Sequence, residues 1–340
     1  MPRSSRAREA LWLCNYCGSD RQSPEELGLQ PDVVTELARA HRLSAVAGFK
    51  LHAAQAVSTE WQRTMVRDWR QALGDETLFG SELERIDAAM SRAGIRFVLL
   101  KGADLARRGI YHPGQRTHND LDLLIEPRDR DVVHRLLKEL GFHSDHPAPD
   151  AAARHWFAST YRHSTQARVQ LDLHWDLGAP GRGEWNITRV METSEPLGEW
   201  RAARRLCRAD LWAHLALHAV AYHGAAGRWI WWLDIHRLHQ QSPVTAGEWE
   251  MVRARGAEIA LQAALLRAAG LFDPRRFADL ETRWRARAVA RWGARFERGG
   301  DSRLKRWLIG ALSLDRPSDL GLAAMSVARR LSDSVRAKKT

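Results

Sequence analysis

The sequence predicts an α+β fold in which a small mixed β-sheet is flanked by helical N- and C-terminal regions. Three observations carry this prediction: helical patterns fill the first 93 residues, short runs of β-forming residues follow, and helical patterns then return. With 340 residues, of which 44% are hydrophobic, the chain can bury a core in more than one domain. We expect a helical region over 1–93, an α/β core over 94–180, a helical C-terminal domain over 181–274 and a basic, Arg-rich helical tail over 275–340.

The N-terminal region is predicted to be a helical layer or cap. Apolar residues recur at helical spacing over Val33–His41, Trp61–Leu73 and Leu78–Ala93, and Gly94 stands where a helix typically ends. Cys14 and Cys17 have the spacing of a redox or zinc pair, but no second pair accompanies them. We interpret them as ordinary thiols near a helix.

The core begins with a run rich in β-forming residues, Ile95–Leu100, which leads through a Lys-Gly pair into one or two helical turns. A turn-rich loop precedes a second strand, Asp120–Ile125. This strand alternates charged and apolar residues before it becomes wholly apolar, as a strand does when it runs from a site into a core. A helix over Asp129–Leu140 follows, and two alternating runs, His155–Arg162 and Arg168–Asp176, predict a hairpin.

The carboxylates at these strands are the sharpest chemical signal. Asp120 and Asp122 are two residues apart on a strand, so their side chains project from one face and can bridge two divalent cations, and Mg²⁺ prefers oxygen ligands. Asp172 lies on the polar face of the later strand, as a third carboxylate for the same site. Three converging carboxylates repel one another without metal, which predicts two bound Mg²⁺ ions, with Mn²⁺ as the alternative.

A phosphate site is predicted beside these carboxylates. Gly102 allows close approach of the backbone at a strand-to-helix junction, where free N–H groups favour an anion. Lys101 adds a point charge, and Arg116, in the loop before the carboxylate strand, could make a bidentate phosphate contact. We predict that Lys101, Gly102 and Arg116 bind this phosphate.

These motifs resemble a known family. The segments Leu100–Ala103, Arg116–Leu124, Leu140–Phe142 and Leu171–Trp175 are similar to those of proteins described as uncharacterised nucleotidyltransferases, within the DNA polymerase beta-type nucleotidyltransferase superfamily. The resemblance covers roughly residues 30 to 275. It implies that the α/β core is a nucleotidyltransferase core.

The resemblance also implies roles for individual residues. Asp120 and Asp122 would bind the metal pair, Asp172 would help to deprotonate or orient an acceptor hydroxyl, and the backbone of Gly102 would face a phosphate. Ala103 stands where the superfamily usually has Ser, and Asn119 stands where Ser or Thr commonly precedes the first Asp. Neither departure removes a metal ligand, and Asn119 can still hydrogen-bond locally. The resemblance implies that Lys101, Gly102, Arg116 and Asn119 bind nucleotide.

Three histidines have weaker signals. His174 shares the polar strand face with the third carboxylate, and we expect it to hydrogen-bond to a metal ligand or to contact substrate rather than to bind metal itself. His214 and His218 have an i,i+4 spacing that can bind zinc, but Leu215 occupies the position where a zinc peptidase needs Glu. We favour packing or a polar contact to the active-site cleft.

We therefore expect a Mg²⁺-dependent nucleotidyltransferase that moves an NMP from an NTP such as ATP to a hydroxyl of a small molecule, sugar or peptide. Residues 275–340 hold 17 Lys and Arg against 7 Asp and Glu, a net charge of +10, whereas the whole chain carries +11. The alternatives are therefore an RNA- or tRNA-directed nucleotidyltransferase that uses this tail, or a non-catalytic nucleotide-binding regulator. No apolar run is long enough to span a bilayer and no signal core follows Met1, so we expect a cytoplasmic protein.

Overall fold

The computed structural model describes residues 2–19, 28–144, 157–178, 181–198, 200–225, 227–273, 284–299 and 303–315. Helices precede the sheet, lie between its strands and follow it. Those before the sheet are α1 (Pro2–Gly18), α2 (Pro31–Ala40), α3 (Ser44–Ala53) and α4 (Glu60–Arg92). Those between the strands are α5 (Lys101–Arg107), α6 (Arg130–Glu139) and α7 (Ile187–Thr193). Those after the sheet are α8 (Arg208–Ala216), α9 (Trp229–Gln241), α10 (Ala246–Ala254), α11 (Glu258–Phe272), α12 (Trp284–Gly299) and α13 (Arg303–Leu312).

A mixed sheet of seven strands forms the centre of the described chain. The strands are β1 (Phe97–Leu99), β2 (Leu121–Leu124), β3 (Phe142–Ser144), β4 (Ala158–His163), β5 (Gln170–His174), β6 (Glu195–Pro196) and β7 (Ala203–Arg205). Their order across the sheet is β3-β4-β5-β2-β1-β7-β6. β2 is antiparallel to β1 and parallel to β5, while β4 and β5 form the expected antiparallel hairpin. The predicted α+β class is confirmed.

Side chains of alternate residues in the central strands enter two different cores. Val98 and Leu124 pack with helices from both ends of the chain, including α1, α3, α8, α9 and α11. Leu99 and Leu123 point to the other face of the sheet, where α4 and α6 cover it. The N- and C-terminal helical regions therefore share one core on one side of the sheet, and the four-segment division remains a prediction.

Two local predictions are wrong. Two runs predicted as separate helices, Trp61–Leu73 and Leu78–Ala93, belong to the single 33-residue α4. Gly74 lies between them without ending the helix, and a Cβ atom added there would have no neighbour within 4 Å. The segment from Glu195 to Arg205 was assigned to a helical region, but it contributes β6 and β7, and β7 pairs in parallel with β1. The hairpin residues before Phe157 lie outside the described residues.

The described part of the basic tail packs against the C-terminal helices. Val289 of α12 and Ile309 of α13 are fully buried in the core that contains α11. A Cβ atom added at Gly310 would lie 2.4 Å from the backbone oxygen of Ala221, so α13 crosses the preceding helices closely. Residues 275–283, 300–302 and 316–340 of the tail lie outside the described residues. Over the ranges that are described, every helix is too short or too polar to cross a membrane.

Candidate functional site

The parallel pairing of β2 with β5 brings the predicted carboxylates together. Asp122 lies directly opposite Asp172 in the strand register, and Asp120 immediately precedes β2. Burial and the charges of Asp122 and Asp172 raise the pKa of Asp120 to about 6. Asp120 is thus close enough to both carboxylates to feel their charge, and the role of the three as metal ligands remains a prediction.

Two cationic or polar side chains hold Asp122. Its Oδ1 atom accepts a hydrogen bond from Lys101 Nζ at 2.5 Å and lies 2.9 Å from His174 Nε2. Burial of Asp122 opposes ionisation, but Lys101 and His174 outweigh it and hold the pKa of this carboxyl well below its usual range. Asp122 is therefore ionised at neutral pH, and its charge also raises the pKa of Lys101 despite the burial of that lysine.

The donor chemistry at this site suits a hard divalent cation, because its carboxylates supply oxygen ligands: Asp122 and Asp172 lie opposite each other in the strand register, and Asp120 precedes β2. Among the residues that the structure describes, no three acidic, histidine or cysteine side chains are arranged as a ready metal site. The Lys101 ammonium now contacts Asp122. A bound cation would have to share or replace that contact.

Lys101 and Gly102 begin α5 immediately after β1, in a strained backbone conformation. Lys101 has a φ of 49°, in the left-handed region that residues with a side chain seldom adopt. A Cβ atom added at Gly102 would lie 3.1 Å from His118 Nδ1 and 3.5 Å from the guanidinium carbon of Arg116. Gly102 is therefore needed for close packing against this loop.

Arg116 lies beside Gly102, but its partners differ from the predicted phosphate. Its Nε and Nη2 atoms donate to the two carboxylate oxygens of Asp234, each at 2.9 Å, and Nη1 donates to the Thr117 carbonyl at 2.8 Å. The Tyr111 hydroxyl donates to the same Asp234 carboxylate at 2.6 Å. The pair is buried and attaches the loop before β2 to α9, so this structure shows Arg116 as a positioning residue for that loop.

Two polar partners of the site are not predicted from the sequence. Thr160 of β4 lies opposite Asp172, and its hydroxyl donates to Asp172 Oδ1 at 2.7 Å. Thr160 lies in the alternating run His155–Arg162 of the predicted hairpin, and that position was the sequence signal that could have placed it on the polar face. Asp234 is 118 positions from Arg116, and nothing local in the sequence connects them. Asn119 is exposed next to Asp120, and its predicted nucleotide contact remains a prediction.

Histidines of α8 and of the π-helical turn that continues it, Leu217–Tyr222, face the carboxylates. Burial and the charge of Lys101 lower the pKa of His214 to about 3 and hold the pKa of His218 well below its ordinary value. Both imidazoles are therefore neutral. The rings of His214 and His218 are 6.4 Å apart, and no three-ligand metal group occurs in the described ranges, so the zinc alternative gains no support.

Comparison with known proteins agrees with this geometry. No curated protein matches the chain. The family model described as an uncharacterised nucleotidyltransferase matches residues 28–274, which contain the whole sheet, the three carboxylates and α8 to α11. The match ends one residue before the predicted basic tail. Because the match covers most of the chain, the protein belongs to this uncharacterised nucleotidyltransferase family.

Proposed function

We propose that the protein is a Mg²⁺-dependent nucleotidyltransferase that moves an NMP from an NTP to a hydroxyl group of a small-molecule, sugar or peptide acceptor. The observation that carries this proposal is the register of β2 and β5, which aligns Asp122 with Asp172 beside Asp120. Family membership supports nucleotide transfer in general. The metal requirement and the hydroxyl acceptor are parts of the proposal.

The chain's own groups have separable tasks in this reaction. Asp120, Asp122 and Asp172 would hold two Mg²⁺ ions, for which Mn²⁺ could substitute, and when bound these ions neutralise charge on the α-phosphate and on the leaving pyrophosphate. Asp172, fixed by Thr160, orients the acceptor hydroxyl and accepts its proton. The acceptor oxygen then bonds to the α-phosphorus as the bond to pyrophosphate breaks. Lys101 and His174 keep Asp122 ionised before a cation binds.

The test is transfer of label from α-labelled NTPs to a panel of hydroxyl acceptors or a cell extract in the presence of Mg²⁺. Asp122→Asn and Asp172→Asn should each lower transfer by about 10³-fold or more, because each removes a carboxylate that would hold the cations, and the second also removes the proton acceptor. The matched control is Asp131→Asn, which changes an exposed carboxylate on α6 and should leave transfer within about twofold.

Two results would contradict the proposal. One is label transfer by a folded Asp122→Asn protein at the wild-type rate. The other is NTP binding that Asp120→Asn leaves unchanged, with no pyrophosphate released by the wild type on any acceptor; that result favours a nucleotide-binding regulator instead.

A further inference from the structure

Two arginines flank a contact between the N-terminal helices and α9. Arg42 lies in the turn between α2 and α3, and Arg228 immediately precedes α9. Neither side chain forms a hydrogen bond or an ion pair with any residue that the structure describes. Arg42 is half-buried, whereas Arg228 is exposed. A guanidinium group is rarely left half-buried without a partner, because its desolvation is then uncompensated.

The backbones that carry these arginines are packed directly together. The ring of His41 stacks on Trp229 with their centroids 3.8 Å apart and an interplanar angle of 6°. The Ile230 N–H donates to the His41 carbonyl at 3.2 Å. Arg42 follows this contact and Arg228 precedes it, so the two guanidinium groups come from one rigid junction between the N-terminal helices and α9.

The junction adjoins the carboxylate site, because Asp234, one helical turn after Ile230 on α9, pairs with Arg116 in the loop that leads to Asp120. Burial and the positive charges of Arg228 and Arg116 lower the pKa of Arg42 to about 10, and the charge of Asp120 opposes this effect. Arg42 therefore feels the repulsion of two other guanidinium groups, of which Arg116 is already paired with Asp234. α9 begins at Trp229 without a side-chain cap, which adds partial positive charge to the same region. Like charges gathered in this way are unfavourable unless an anion joins them.

We propose that Arg42 and Arg228 bind the β- and γ-phosphates of the NTP, and hence the leaving pyrophosphate, beside Asp120. This inference rests on the proposed function. Guanidinium groups match phosphate oxygens with paired, charge-assisted hydrogen bonds, and a polyphosphate supplies the negative charge that the cluster lacks. The N-terminal helices would then contribute to substrate binding through Arg42 rather than only covering the sheet.

The test measures binding of inorganic tripolyphosphate by calorimetry, which needs no acceptor and no turnover. Arg42→Asn suits the position because Asn tolerates the left-handed φ of 58°, and Arg42→Lys keeps the charge but loses the paired geometry. Arg228→Gln removes the second group. The matched control is Arg92→Gln, an exposed arginine at the end of α4, which precedes β1 at the end of the strand away from Lys101.

We expect Arg42→Asn and Arg228→Gln each to weaken tripolyphosphate binding about tenfold, Arg42→Lys to weaken it less, and Arg92→Gln to leave it unchanged. The unliganded Arg42→Asn protein should unfold at the same temperature as the wild type or at a higher one, because a repelled, unpaired charge has been removed. A structural role for Arg42 predicts the opposite thermal shift.

The inference is overturned if the three site variants bind tripolyphosphate as tightly as Arg92→Gln, or if Arg42→Asn loses thermal stability together with binding. Its failure and that of the proposed function are distinguishable. If Asp122→Asn abolishes transfer but the arginine variants keep both tripolyphosphate affinity and the KM for NTP, only this inference fails. If tripolyphosphate binds through the arginines and no NMP is transferred, only the proposed function fails.

Discussion

Asp120 and Asp122 are two residues apart, yet their pKa values shift in opposite directions. Asp122 has the ammonium of Lys101 and the ring of His174 within hydrogen-bond distance, and these partners favour its ionised form. Asp120 is mostly buried and faces two other carboxylates, so its neutral form is favoured up to a pH of about 6. As the pH rises through about 6, Asp120 therefore becomes negatively charged close to Asp122, which is already ionised.

Asp120→Asn should stabilise the metal-free protein above pH 6. Because the folded pKa of about 6 lies above the value of 3.8 in an unfolded chain, the unfolded state releases this proton first as the pH rises. The contribution of Asp120 to stability is therefore present below pH 4 and is lost as the pH passes through 6. Removing the carboxylate should raise the free energy of unfolding at pH 8 by up to about 3 kcal/mol, measured in urea without metal.

Asp131→Asn is the control for this measurement, because its carboxylate is exposed and should change stability by less than about 0.5 kcal/mol. A less stable Asp120→Asn protein at pH 8 would show that the carboxylate is balanced by groups other than those described. The same substitution should abolish transfer, so stability and activity should change in opposite directions.

Lys101→Met should make the stability of the protein depend on Mg²⁺. The variant leaves the buried Asp122 carboxylate without its ammonium partner, which should cost about 3 kcal/mol or more at pH 7. If a divalent cation binds the same carboxylate, added Mg²⁺ should raise the unfolding temperature of this variant more than that of the wild type. Lys138→Met, on the exposed side of α6, is the control. Equal Mg²⁺ responses in all three proteins would argue against a cation at Asp122.

Residue by residue, the sequence predicts groups whose chemistry follows from local periodicity and misses those that depend on pairing across the fold. Asp122 and Asp172 could be assigned to one site because both strands alternate in polarity. Asp234 could not be predicted as the partner of Arg116, because these two side chains are distant in sequence and meet only through the position of α9. Arg42 shows no local signal at all, since a lone arginine after a helix is ordinarily solvated.

At the scale of elements, a comparison of two helical glycines distinguishes the effect of helix propensity from the effect of close helix packing. A Cβ atom at Gly48 of α3 would lie 2.0 Å from the backbone oxygen of Met65 in α4, whereas one at Gly74 of α4 would have no neighbour within 4 Å. Gly48→Ala should therefore lower the free energy of unfolding by about 2 to 4 kcal/mol, because the helices must move apart. Gly74→Ala should raise it by about 0.5 to 1 kcal/mol. Urea unfolding measures both, and equal effects would contradict this account of the α3–α4 contact.

The same glycine explains why α4 was predicted as two helices. Gly74 weakens the local helical signal, but residues on both sides of it pack against other elements, and that packing outweighs propensity. β7 could not be predicted because three residues are too few to show alternation. Its position is set from a distance: Asp87 of α4 accepts hydrogen bonds from the backbone N–H groups of Ala202 and Ala203, which aligns this segment beside β1.

At the scale of the whole molecule, the net charge distinguishes the basic tail, residues 275–340, from the rest of the chain but does not predict how the tail packs. The described helices α12 and α13 place Val289 and Ile309 in the same core as α11, while Trp284 and Trp292 are exposed. An RNA contact through this surface remains a prediction. The apolar positions between the arginines were the signal that the tail also has a buried side.

Truncation after residue 274 should therefore destabilise the whole protein. Besides exposing the core under α12 and α13, it removes Asp315, whose carboxylate accepts hydrogen bonds from the N–H groups of Glu258 and Ile259 and so caps α11. Truncation after Asp315 keeps these contacts and is the control, and Asp315→Ala isolates the cap, which should contribute about 1 to 2 kcal/mol. Thermal unfolding should show a large decrease for the first protein, a small one for Asp315→Ala and little change for the control. If the protein truncated at 274 unfolds at the wild-type temperature, the tail is a separable appendage, and its high charge then becomes the main guide to its role.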